Sequence, residues 1–226
     1  MRAKLLTATA AAALLAGACG DDAARRAAPE PVDLAALPGV YAGTFPCRNC
    51  PGIDVRLWLR PDGAFFMRQD YLGAAEEPAE RAHATGRWTW DSGPALLSLR
   101  SAGPERAFRY RDARLTLQGP GDPHVLARAE SVEPFTDRLA LQGRYDSVTG
   151  AGTFAECYTG LRLPVTDDAR GRDLRRRHRA VSPAASPALV AVEAHLAYAQ
   201  GAEGAEFLAV DRFVSLRPGA ACGRAR

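Results

Sequence analysis

Lysine is almost missing from this chain. Of its 29 Lys and Arg residues, all but Lys4 are arginine. Methionine occurs twice, at Met1 and Met67, which excludes a thioether-rich soft-metal site. No glycine-rich phosphate loop follows a strand, and G-x-S-x-G and H-E-x-x-H are absent, so the common signatures of nucleotide, α/β-hydrolase and zinc-protease sites are missing. Asp21-Asp22 and Asp167-Asp168 are paired carboxylates, but adjacent side chains point apart. No nucleophile, base and orienting group can be assembled, so the reading is of a non-enzyme that requires no cofactor. His83, His124, His178 and His195 are scattered. No uninterrupted apolar run reaches the ~20 residues that span a bilayer.

Leu5 to Ala18, uncharged and apolar apart from two threonines, follows Arg2 and Lys4 and has the size of a signal-peptide core. It exits through "LLAGAC", which resembles a bacterial lipobox, with Leu15 one place further from the cysteine than is usual. Residues 1–18 are therefore expected to be a signal peptide and Cys19 to be acylated; Ala16-Gly17-Ala18 also fits plain secretion. Acyl chains at about 0.8 kcal/mol per buried methylene would hold the protein on a membrane. Gly20, rather than Asp, after the cysteine favours the outer membrane, with the protein facing the periplasm. Residues 19–36 read as the lipidated cysteine and a flexible tether. The formal net charge of +3 falls to +1 once Arg2 and Lys4 are removed, which argues against a general polyanion binder, and no nucleic-acid partner is expected.

The rest reads as all-β. "IDVRLWLR" alternates Ile53, Val55, Leu57 and Leu59 against polar neighbours, the period of a half-buried strand, and only Trp58 breaks the polar face, as at a rim or interface. "RPDG", Ser92-Gly93-Pro94 and further turn signals every 8–12 residues favour an antiparallel barrel or sandwich over residues 37–132. From 137 to 223 the order is three strands, a helix-compatible "DDARGRDLRRRHRA", then two strands, the order of a small OB-type barrel.

Five cysteines occur, and with Cys19 acylated four remain. Domain membership favours Cys47–Cys50 and Cys157–Cys222. On the chain-entropy model the long loop would stabilise by ~4 kcal/mol and the short one by only ~2 kcal/mol. The short pair, in "FPCRNCPGIDV", is thus a weak staple. A helix N-terminus that would lower a thiol pKa is absent, since Pro51-Gly52 follows at once, and a full zinc set is absent too. A structural turn, a disulfide, a two-thiolate Cu(I) site and a redox pair all remain open for Cys47 and Cys50.

"GVYAGTFPCRNCPGIDVRLWLRPDGAFFMRQDYLG" and the later Gly86-Arg87-Trp88 resemble the N-terminal domain of the NlpE family over about 50 residues. The resemblance implies a lipocalin-like N-terminal antiparallel barrel followed by an OB-type domain with one helix. It also implies an outer-membrane lipoprotein in copper homeostasis and envelope-stress sensing, with Cys47 and Cys50 as the copper or redox pair. The partners it implies are the membrane, through the anchor, and the periplasmic domain of a Cpx-type sensor kinase.

Two further readings stand beside it. A lipocalin-like barrel can enclose an apolar ligand, here lined by Trp58, Phe66, Trp88 and Trp90, or those rings can simply fill it. In "RGRDLRRRHR" a helix would place Arg172, Arg175, Arg176 and Arg179 on neighbouring faces, suited to an anionic surface, or merely solvated.

Overall fold

Alternating inward and outward side chains dominate the computed structural model, which describes residues 32–73, 81–121, 123–130, 135–147, 152–182, 186–198 and 205–223. The expected leader, Cys19 and most of the tether lie outside the described residues.

Eight strands form a closed antiparallel barrel: β1 Gly39–Phe45, β2 Ile53–Leu59, β3 Ala64–Tyr71, β4 Arg81–Asp91, β5 Leu96–Ser101, β6 Arg106–Arg111, β7 Arg114–Leu117 and β8 Val125–Arg128. The ring closes where Tyr41 and Ala42 pair with Arg128 and Ala127. Register sets Tyr41 opposite Leu57 and Leu57 opposite Met67, so one face of every strand feeds a shared core with Phe65, Leu97, Phe108, Leu115 and Leu126. "RPDG" turns because Gly63 takes φ +81 and its N–H reaches Arg60 O at 3.1 Å, while Asp62 accepts from Ala64 N at 3.0 Å. β6 and β7 are joined by Asp112 and Ala113, both at positive φ. This is the backbone of a tight primed hairpin turn, made without glycine.

One end of the barrel is plugged. Leu37 is fully buried there, and its carbonyl accepts from Tyr41 Oη at 2.8 Å. Arg128 donates to Ala36 O, to Pro38 O at 2.6 Å and to Tyr41 Oη at 3.3 Å. Burial, then the neighbouring Tyr110 phenol, pushes the Tyr41 pKa up to about 12. The opposite end carries the loop with Cys47 and Cys50.

The C-terminal unit has β9 Leu139–Asp146, β10 Thr153–Glu156, β11 Arg162–Pro164, α1 Ala169–Val181, β12 Ala188–Tyr198 and β13 Glu206–Pro218. Its sheet runs β11-β10-β9-β12-β13, and a parallel bridge from Val165 to Leu208 draws the two edges together, as in an OB-type barrel. Gly143 lets β9 and β10 approach: a Cβ there would lie 2.5 Å from Ala155 O and from the Phe154 ring. Asp168 caps α1 by accepting from Arg170 N and Gly171 N at 2.8 Å. Gly171, Leu174 and His178 form the buried stripe of α1, and His178 spans Ser147 Oγ (2.9 Å) and Ser186 O (3.0 Å).

Two aromatics expected to line the barrel do not. Trp58 and Phe66 are cross-strand partners on its outer face and stack with Phe135 at centroid distances of 5.7, 6.0 and 5.9 Å. Phe66 and Phe135 belong to the core of the C-terminal unit. The reason is period: Trp58 and Phe66 are out of phase with the lumen-facing Leu57, Leu59, Phe65 and Met67. Trp88 and Trp90 do pack against the barrel core. Around the aromatic stack lie Arg60–Glu206 (2.6 Å), Arg68–Asp137 (2.5 Å) and Arg87 Nη1 donating to Thr159 O (2.9 Å). Burial opposes the Arg60 charge, but hydrogen bonds to Glu206 and Asp62 outweigh it and raise the pKa.

Candidate functional site at the open end of the barrel

Pro46 to Gly52 connect β1 to β2 as an exposed loop. Prolines flank the two cysteines, disfavouring continued strand pairing there. Cys47 and Cys50 are joined as a disulfide with a Cα–Cα distance of 5.2 Å. The loop is anchored at its base: Leu72 N donates to Gly52 O at 2.9 Å, and Thr44 Oγ1 donates to Asp54 Oδ1 at 2.6 Å. The Cys50 sulfur lies 3.3 Å from Gly52 O. In the disulfide it has no proton to donate, whereas a reduced thiol would find an acceptor in place. Arg48 and Asn49 at the tip are exposed, and the two sulfur-bearing residues are half-buried.

As a disulfide the pair offers no thiolate to a metal ion. Among the described residues no cluster of three or more His, Cys, Asp or Glu could complete a metal site. Met67, the methionine nearest in character to a soft ligand, is buried in the barrel core. After reduction the loop would supply two thiolates and nothing more, which suits two-coordinate Cu(I) and not zinc.

Alongside β4, a cavity of about 700 Å³ opens between the lumen and the outer face of the C-terminal sheet. Phe65, Met67 and Leu99 form its apolar floor, and Arg106 projects into it. Sequence reading passed over Arg106, although a signal exists: in "RAFRYR" it is in phase with the core residue Phe108, unlike Arg109 and Arg111.

Two family models match the chain, the NlpE N-terminal domain over residues 41–121 and the NlpE C-terminal OB domain over residues 136–223. Lipoprotein NlpE of Escherichia coli (strain K12) is 33% identical over 171 residues, covering 72% of this chain and 70% of that protein. The chain belongs to the NlpE family. Among solved structures, the Cpx pathway activator NlpE from Escherichia coli aligns at 27% identity over 82% of this chain and 97% of that one, with a TM-score of 0.37. A second solved chain, from Shewanella oneidensis, aligns at 24% identity over 42% of this chain and 90% of that one, with a TM-score of 0.35.

Each domain of this NlpE-family chain holds one disulfide. Cys157 and Cys222 are bonded across 65 residues with a Cα–Cα distance of 5.5 Å, tying the tail after β13 to the turn after β10. Glu156, next to Cys157, is buried. Its Oε2 accepts from Tyr158 N (2.9 Å), Thr159 N (2.6 Å) and Thr159 Oγ1 (2.7 Å), while Oε1 is buried without a partner. Burial pushes its pKa up, and these hydrogen bonds only partly pull it back.

On α1 the predicted basic residues are brought onto one helix but meet carboxylates. Arg175 pairs with Asp167, and Arg176 and Arg177 both pair with Asp173. Arg172 donates to Asp167 O at 2.5 Å, and the Arg177 guanidinium lies 4.8 Å from the Phe213 ring centre. Arg179 has no ion-pair partner among the described residues. The positive field of this face is therefore weaker than the sequence suggests.

Proposed function

We propose that this chain is a non-enzymatic lipoprotein of the bacterial envelope, anchored to the outer membrane through acylated Cys19, that reports envelope stress to a Cpx-type sensor kinase. The observation carrying this reading is the match of both domains, in order, to a family whose Escherichia coli member is a Cpx pathway activator. The NlpE relative is itself a lipoprotein, which agrees with the lipobox-like "LLAGAC". In an Escherichia coli strain lacking NlpE and carrying a Cpx-dependent reporter, expression of the full chain should raise the signal. Cys19→Ser should change the response by releasing the protein from the membrane. A reporter indifferent to the chain at matched protein levels would reject the reading.

Within that role, the Cys47–Cys50 loop is the proposed redox- or copper-responsive element. Support comes from its exposure and from the small stabilisation, ~2 kcal/mol, that so short a disulfide brings. Cu(I) should bind the reduced chain with the loss of two titratable thiols, and the Cys47→Ser/Cys50→Ser variant should lose that binding. Equal Cu(I) affinity in both would remove copper from this loop.

A further inference from the structure

The barrel has a window in its wall. β4 pairs with β5 only from Gly86 to Asp91, so among the described residues Arg81 to Thr85 have β3 as their single strand neighbour. The inward side chains along that free edge are Ala82 and Ala84, too small to fill the gap. Across it stands the outer face of the C-terminal sheet, with Val214 half exposed. The resulting cavity of about 700 Å³ falls in the range of small-molecule sites.

Inside it Arg106 is an exception among the partly buried arginines. Arg60 has Asp62 and Glu206, Arg68 has Asp70 and Asp137, and Arg128 has two backbone carbonyls. Half-buried Arg106 has only Met67 Sδ at 3.4 Å and Gln69 Oε1 at 3.5 Å, the outer limit of a hydrogen bond, and no carboxylate among the described residues. Burial lowers its pKa, yet a guanidinium does not deprotonate in proteins, so the charge stays and is poorly compensated. The other charges on this cavity, Glu193 and Arg212 on the opposite wall, are paired with each other. The site thus presents one unspent cation at the edge of an apolar floor.

We propose that this cleft binds a single-chain anionic amphiphile, its carboxylate or phosphate head on Arg106 and its chain along Met67, Leu99 and Val214. Charge complementarity selects the head, and a guanidinium fork suits both acids. The floor and volume select a chain over a bare ion. A fatty acid and a lysophospholipid share this chemistry.

The test uses the full chain carrying Cys19→Ser, so that no acyl anchor enters the assay. Calorimetric titrations would compare laurate, lauroyl lysophosphatidate, dodecanol and inorganic phosphate. One anionic amphiphile should bind per chain, at least tenfold tighter than dodecanol or inorganic phosphate, and the better of the two acids names the head group. Arg106→Gln should remove that tenfold preference while leaving dodecanol unchanged. Ala84→Phe, which fills the window and keeps Arg106, should weaken all chain-bearing probes. No saturable binding, equal binding of laurate and dodecanol, or an Arg106→Gln variant that keeps the preference would overturn the proposal.

Discussion

The barrel and the C-terminal unit solve the same problem, burying one face of a sheet, in different ways. Eight barrel strands close into a ring with a window beside the start of β4, and the core inside is supplied by their own inward side chains. Among the described residues the five-stranded C-terminal sheet closes only through the Val165–Leu208 bridge, and its core takes in Phe66 from the barrel and Phe135 from the connection, with Trp58 packed against it. The difference teaches that the two units are unequal in self-sufficiency. It also gives the two disulfides different weights: the long one closes the unit with the borrowed core, and the short one decorates a loop of a ring already closed.

The strongest blow to this contrast should come at the shared aromatics. Phe135→Ala is expected to cost about 3–5 kcal/mol, with amide protection lost first in β12 and β13 while β1 to β3 keep theirs. A uniform loss over both units would erase the distinction. Next, Cys157→Ser/Cys222→Ser should remove ~4 kcal/mol on the chain-entropy model, again confined to the C-terminal unit. The matched Cys47→Ser/Cys50→Ser change should cost ~2 kcal/mol at most. Denaturant midpoints of the two double variants measure the gap directly, and a short-pair variant as damaged as the long-pair one would contradict it.

The smallest effect is a pH dependence that sharpens the comparison at Glu156, where the two units touch. Its pKa is raised in the folded chain, chiefly by burial. A carboxyl raised in this way favours the fold fully below its unfolded value and loses that contribution as pH rises through the folded value. Glu156→Gln should therefore gain stability relative to the parent as pH climbs from about 4 to about 8, the ordinary carboxylate value being near 4.3. Melting curves showing a constant difference across that range would mean that Glu156 does not titrate with folding.

Much of the fold was legible because it rests on local patterns. "IDVRLWLR" declares a two-residue period, Gly63 the turn after it, and Asp168 the start of α1, each within a few residues of chain. The strand-helix-strand order of the C-terminal unit and the family-specific context of Cys47 and Cys50 were readable for the same reason. The aromatics were less so. Trp58 was marked as an oddity on a polar face, but its partner Phe135 is 77 positions away, and no period links them. Arg106 went unremarked because an arginine among arginines carries no contrast until the β5–β6 register turns it inward.

By itself, then, the sequence determined which residues alternate, where the chain turns, how the two units follow one another and to which family they belong. These depend on backbone preference and on spacing along one strand. Tertiary structure decided which outward faces meet, that Trp58 and Phe66 serve the C-terminal core, and that Arg106 faces a window beside β4 with no carboxylate partner among the described residues. Burial and charge pairing are set by neighbours distant in the chain, and those neighbours exist only once the sheets have closed and docked.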